Sequence, residues 1–120
     1  MPLVRVDMHR HHADLRAPMN TAIHSALVEV WGMPADDLFQ IFQLHDQGDL
    51  FYSRTFPAAD RNDIIVIQVL AFNGYSADVK QRGAELVVER LAALGIKRDN
   101  VLIAISENGD GDWLAPAKEG

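Results

Sequence analysis

The sequence predicts an α+β domain in which two consecutive βαβ units form a four-stranded mixed sheet with two helices on one face. Three observations carry this expectation. The apolar pattern passes from period two to the three- and four-residue steps of a helix and back, and it does so twice. The two copies share a register, because Gly32-Met33-Pro34-Ala35-Asp36-Asp37 stands 63 positions (95 minus 32) before Gly95-Ile96-Lys97-Arg98-Asp99-Asn100. The 120 residues, 48% apolar and 23% charged, have the length and balance of one globular domain.

In the first strand Val4, Val6 and Met8 alternate with Leu3, Arg5 and Asp7. His9-Arg10-His11-His12 reads as a solvated turn. Asp14 is the only carboxylate that spacing holds near it, so no metal is expected there. Asp14 is the expected N-cap of a helix whose stripe is Leu15, Met19, Ala22, Ile23, Ala26, Leu27 and Val30. Pro18 then falls near the fourth helical position and costs a backbone hydrogen bond. Gly32 and Pro34 stop the helix, and Leu38 to Leu44 forms the second strand, with His45 at its end. The stretch from His45 to Asp63 is turn-like, with Leu50-Phe51-Tyr52 as a short edge strand inside it. Ile64 to Phe72 is the third strand. Ser76 caps a second helix with the stripe Val79, Gly83, Leu86, Val87, Arg90, Leu91 and Leu94, along which Arg90 lays its stem. Gly95 ends it, and Val101 to Ser106 is the last strand. Glu107-Asn108-Gly109-Asp110-Gly111-Asp112 lacks half of a calcium loop and reads as a turn. The resulting boundaries are one domain over 1–120, with repeat one 2–45, a connection 46–63, repeat two 64–107 and a tail 108–120.

Composition removes several functions. The chain has no cysteine, which excludes disulfides, zinc–thiolate sites and thiol nucleophiles. A net charge of -6 argues against nucleic acid as a partner. No apolar run approaches the ~20 residues of a membrane helix. Charges interrupt the N-terminal segment at once, so no signal peptide is expected and the cytoplasm is the expected compartment. There is no glycine-rich phosphate loop and no Gly-x-Ser-x-Gly elbow, so no cofactor is expected. Ile64, Val66 and Leu70 oppose Ile65, Ile67 and Val69, and Val101, Ile103 and Ile105 oppose Leu102 and Ala104. Strands apolar on both faces need cover on both, and two helices cover one. An obligate oligomer follows.

Pro2 stands directly behind Met1. Removal of Met1 leaves a secondary amine at the start of a strand, in a ring that fixes the direction of its nitrogen. An α-amino group has a pKa of about 7.7–8.0, and burial or a nearby cation lowers it. Such a base suits proton transfer beside a carbonyl.

Together, the Met-Pro-Leu strand opening, the two βαβ copies and the required oligomer resemble the tautomerase superfamily, and most of all its malonate semialdehyde decarboxylase-like branch. The likeness spans nearly the whole chain. It rests on Met1-Pro2-Leu3-Val4-Arg5-Val6-Asp7, on Val28 to Gln40 and on Asp60-Arg61-Asn62-Asp63. Further pieces are Asn73-Gly74-Tyr75-Ser76 with Lys80-Gln81, and Glu107-Asn108 followed by Asp112-Trp113. The resemblance implies a tautomerase-like fold, a homotrimer and catalysis by the Pro2 amine. It matches Asp37 to an acidic residue that positions or activates water in decarboxylating and hydrating members. Read from the residues alone, Asp37 is a turn residue before the second strand.

Phe39, Phe72 and Trp113 either wall a pocket or belong to the core. The family usually carries one or two carboxylate-gripping arginines between the third strand and the second helix, where this chain has Asn73 and Tyr75. Carboxylate binding has then moved, with Arg54 or Arg61 as candidates, or the substrate differs. Tyr75 can donate to a carbonyl or enolate oxygen. The branch often continues after its tryptophan with a serine, an aromatic and a glycine; this chain reads Trp113-Leu114-Ala115-Pro116. The expected activity is keto–enol tautomerisation, or hydration, of a small 2-oxo acid, enol or activated unsaturated acid. The alternatives are malonate semialdehyde decarboxylation and a non-catalytic oligomeric binding protein of the same fold.

Overall fold

The structure, a computed structural model, describes residues 2–117. Met1, whose removal the sequence leads one to expect, and residues 118–120 lie outside them. The elements are β1 (Leu3–His9), a 3-10 helix (Arg10–Leu15), α1 (Arg16–Trp31), β2 (Gln40–His45), β3 (Ile65–Phe72), α2 (Ala77–Ala92), a short 3-10 turn (Arg98–Asn100) and β4 (Val101–Asn108). The strand order is β2-β1-β3-β4. β1 runs parallel to β2, β3 parallel to β4, and β1 antiparallel to β3. This is the expected pair of βαβ units in one mixed sheet.

The repeat is visible in the register. Arg5 and Gln68, which the 63-residue offset equates, are also paired with each other across β1 and β3. The pseudo-twofold axis therefore passes through that pair. Around it Val4, Val6 and Met8 face Val69, Ile67 and Ile65, and all six are buried. On them lie Met19, Ile23, Ala26 and Leu27 of α1 and Val87 and Leu91 of α2.

The helices approach closely at Gly83, where an added Cβ would stand 2.3 Å from the Trp31 indole nitrogen. That nitrogen donates to the Val79 carbonyl at 3.2 Å. Arg90 lies between the helices, donating to Ser25 Oγ at 2.8 Å and to Glu29 Oε1 at 2.9 Å. Its charged end is thus paired with α1, which lets its stem lie along the stripe.

Four local expectations need correction. α1 starts at Arg16 and not behind Asp14, because residues 10–15 wind as a 3-10 helix, and Leu15 at the cap position makes no side-chain cap bond. Pro18 is consequently the third residue of α1, inside the first turn, where a backbone N–H has no helical partner to lose. The His9–His12 turn is not simply solvated, since His9 is buried. Leu50-Phe51-Tyr52 forms no strand. Leu50, Tyr52 and Phe56 fold over the far side of the sheet instead, enclosing with Val66 and Leu102 a cavity of about 380 Å³.

The connection thus covers part of the face opposite the helices, but Ile41 and Leu102 stay 43% and 47% exposed there. The Cα radius of gyration is 15.0 Å, against roughly 13.6 Å for a compact chain of this length. No helix among the described residues is long and apolar enough to cross a membrane.

Gly83→Ala tests the helix contact. Alanine normally gains ~1 kcal/mol over glycine in a helix, but overpacking a filled site costs about 1–3 kcal/mol. Urea unfolding is expected to show a net loss near 1 kcal/mol; a gain in stability would show that Trp31 yields freely.

Candidate active site

The antiparallel β1–β3 pairing brings the N-terminal ends of β1 and β2 to the same edge as the C-terminal ends of β3 and β4. Pro2 lies buried at this edge, one residue before Leu3, whose partner in β3 is Leu70. The β1–β2 ladder starts where the Val4 amide donates to the Phe39 carbonyl at 2.9 Å, so Leu38 and Phe39 flank Pro2 on the other side.

The turn that precedes β2 sets Asp37. Its amide donates to the Pro34 carbonyl at 3.1 Å. The offset equates this with the Asn100 amide donating to the Lys97 carbonyl at 3.0 Å. Asn100 stands where β3 begins, and its Oδ1 accepts the Asn62 and Asp63 amides at 2.9 and 3.1 Å. Asp37 holds the equivalent station where β1 begins. Tyr75, in the loop between β3 and α2, stacks on Trp31 with ring centroids 4.8 Å apart. Burial, and then the negative charge of Asp37, hold its hydroxyl above the ordinary phenol value. The phenol is therefore neutral near pH 7 and available as a donor.

Across the same edge the Asn73 amide donates to the Asn108 carbonyl at 2.7 Å. Asn108 Oδ1 accepts the Trp113 indole N–H at 2.6 Å, which seats the half-buried indole beside the end of β4. Glu107 and Asn108 prolong β4, and the turn expected over Glu107–Asp112 is confined to Gly109–Asp112, closed by the Gly109 amide on Asp112 Oδ2. Lys80, in the first turn of α2, is paired with Glu107 at 2.6 Å.

The structure thus gathers Pro2, Asp37, Phe39, Asn73, Tyr75 and Trp113 on one edge. Phe39 is 47% exposed and belongs to this edge, not to the core. Arg54 and Arg61 lie elsewhere, with the connection at the opposite end of the sheet, beside the start of β3. Buried Arg61 spends its guanidinium on the Ser53 and Phe56 carbonyls. Exposed Arg54 makes one long contact to the Arg61 carbonyl and lies over the Tyr52 ring. Within one chain neither reaches Pro2.

His45 is not at this edge either; it pairs with Asp7 at 2.7 Å at the other end of β1. Trp31 is a positioning residue that periodicity did not single out, since at the end of α1 it reads as core. Its signal is Gly83, a helical glycine on the facing stripe.

The comparisons with known proteins agree with this architecture. Residues 37–114 match the family described as "Tautomerase enzyme". The chain belongs to the tautomerase superfamily. It falls on the malonate semialdehyde decarboxylase-like branch: a solved FG41 malonate semialdehyde decarboxylase, inhibited by 3-bromopropiolate, is 33% identical with a TM-score of 0.89. That match covers 98% of this chain and 91% of the other. A curated relative, "Probable tautomerase YrdN" of Bacillus subtilis (strain 168), is 28% identical over 116 residues, 94% of this chain and 89% of the relative. A fused 4-OT symmetric trimer, 18% identical, shares the fold with a TM-score of 0.78, covering 92% of this chain and 89% of that one. Membership makes this tautomerase-family chain an enzyme.

The link between Asp37 and Tyr75 has a direct readout. In a Tyr52→Phe background, which leaves Tyr75 as the sole tyrosine, phenolate absorbance follows that hydroxyl. Asp37→Asn removes a negative charge that opposes ionisation, so the midpoint is expected to move to lower pH while the contribution of burial remains. An unchanged midpoint would show that the two side chains do not sense each other.

Proposed function

We propose that the Pro2 amine, exposed by loss of Met1, acts as general base and then general acid on a small 2-oxo acid, enol or activated unsaturated acid. The observation that carries this reading is the station of Asp37 at the start of β1, equivalent to that of Asn100, whose side chain holds the backbone amides just before β3. A carboxylate at the start of β1, on the edge where Pro2 lies buried, is the group that would orient the Pro2 amine or hold a water for addition to a double bond.

The neutral amine takes the acidic proton of the substrate. Negative charge then develops on the carbonyl oxygen, and the Tyr75 hydroxyl donates to it. The ammonium of Pro2 returns the proton to the other terminus of the enol system. The Asn73 side-chain amide is a second donor, and Phe39 and Trp113 are apolar walls that keep water from the enolate. No cofactor enters this scheme.

A homotrimer is part of the proposal. The far sheet face leaves Ile41 and Leu102 uncovered, and Phe51, Phe56 and Leu114 project 93%, 74% and 90% exposed. Monomers rarely leave so much apolar surface open. A neighbouring copy would cover it and could bring its own connection toward this edge. Of the two candidate arginines, Arg54, which is loosely held, is the one able to serve in that way. Light scattering at micromolar concentration is expected to give three times the chain mass; a stable monomer would refute the assembly.

Malonate semialdehyde decarboxylation is the second reading, favoured by the 33% identity to the FG41 enzyme. It requires a cation to hold the departing carboxylate, and Asn73 and Tyr75 carry no positive charge at neutral pH. A lost charge-assisted hydrogen bond is worth roughly 1.5–3 kcal/mol, or about one to two powers of ten in rate.

The kinetic test uses protein whose mass shows that Met1 is gone. Enol ketonisation by Pro2→Ala is expected to fall by about 10²–10⁴-fold with the fold retained; a native rate would remove Pro2 from the mechanism. On malonate semialdehyde the native chain is expected to be slow and Tyr75→Arg faster. Fast native turnover that Arg54→Ala abolishes would mean that the cation has moved and that decarboxylation is the activity.

A further inference from the structure

The pseudo-twofold axis creates a second edge, where β1 and β2 end and β3 and β4 begin. At this edge the offset equates Pro2 with Ile65, Asp37 with Asn100 and Tyr75 with His12. Its chemistry is different. His9 Nδ1 lies 2.8 Å from Asp63 Oδ1, and His12 Nε2 lies 2.7 Å from Asp63 Oδ2. Both carboxylate oxygens are therefore already satisfied when His11 brings a third ring nitrogen to 2.8 Å from Oδ2.

The ligand-capable atoms of His9, His11 and Asp63 all lie within 4.8 Å of one another. We infer that His9, His11 and Asp63 form a binding site for a divalent transition-metal ion of the zinc class, with His12 orienting the carboxylate.

Two neutral imidazoles and a carboxylate are hard-to-borderline donors that Zn²⁺ accepts at about 2.0–2.2 Å. Three such ligands around one ion stand roughly 3.3 Å apart, the spacing set by tetrahedral geometry at those bond lengths. The His9 and His11 contacts to Asp63, both 2.8 Å, are shorter than that spacing, and the three ligand atoms lie within 4.8 Å of one another, so side-chain rotation has to open the two contacts around the ion. The fourth position is left to water.

The site has both anchorage and access. His9 is 4% exposed and fixed at the end of β1. Asp63 is held by its amide on Asn100 Oδ1. Its two carboxylate oxygens face three histidine ring nitrogens at 2.7–2.8 Å, so the carboxylate is aimed into the cluster. The His11 side chain is 56% exposed and leaves the ion a way in. A bound ion ties the 3-10 helix to the start of β3, two segments some 50 residues apart in sequence. The His12–Asp63 contact is of the kind that tunes metal affinity by about 10–100-fold in known sites.

The test is calorimetric titration of chelator-treated protein, without a histidine tag, with Zn²⁺ near pH 7.5. Saturable binding of about one ion per chain is expected, together with a rise in melting temperature. Co²⁺ substitution is expected to give visible d–d bands of a four-coordinate site. His11→Ala changes an exposed ring and leaves the fold intact, so it is the deciding variant. It is expected to lower Zn²⁺ affinity at least tenfold, with Asp63→Asn lowering it further if that variant folds. Absence of saturable binding, or native affinity in His11→Ala, would overturn the site and leave three histidines hydrogen-bonding one carboxylate.

Discussion

The antiparallel ladder between β1 and β3 is the constraint on which the rest depends. Its buried pairs, Val4 with Val69, Val6 with Ile67 and Met8 with Ile65, join two βαβ units that would otherwise be separate sheets. Fully burying side chains of this kind contributes roughly 1.5–3 kcal/mol each. The register is set by which side chains face the helices, so a slip of one residue would turn Arg5 and Gln68 into the core. The same register puts the beginning of the chain next to the end of β3. Sheet pairing puts Pro2 on the edge that carries Tyr75, and the parallel neighbour β2 puts Asp37 on that edge too.

The helix layer adds a second link. Trp31 ends α1, fits over the bare backbone at Gly83, donates to the Val79 carbonyl and carries Tyr75 on its ring. A loop residue that must meet an oxygen of defined position is thereby supported by rigid elements. The phenol gains its support from the ring at the end of α1, while the sheet positions Pro2 and Asp37. The candidate site is built from both layers, which meet at this edge.

Much of the architecture was legible because it is periodic. The stripe in each helix, the alternation in each strand and the shared Gly32 and Gly95 stops each reflect a local rule, and the 63-residue offset multiplied their weight. What was not legible depended on contacts between distant segments. The 3-10 helix after β1 could not be read from Asp14, because its reason is Asp63, which collects His9 and His12 from about 50 residues away. Leu50-Phe51-Tyr52 has strand-like composition, yet it forms no ladder: Leu50 and Tyr52 turn toward Val66 and Leu102 while Phe51 projects outward. Arg61 looked like a candidate ligand by charge, and its guanidinium proves to be engaged by carbonyls of its own loop. Topology puts Pro2 and Asp37 on one edge, while the neighbourhood of Asp37 and Tyr75 depends on how two loops distant in sequence come together, one of them stacked on Trp31 through Tyr75.

The pseudo-twofold axis has a consequence for stoichiometry. Backbone stations before β1 and before β3 are alike, but a terminal amine occurs once per chain. In an assembly of unfused βαβ chains each unit would begin with its own amine, and every edge could be a centre of the same chemistry. Fusing two units turns one of those beginnings into the interior peptide at Ile65, so half of the edges are silenced by covalent connectivity alone. No substitution in repeat two can restore them, whatever residue replaces Asn100. The silenced edge is released from any selection for proton transfer, and its side chains are free to drift toward another task.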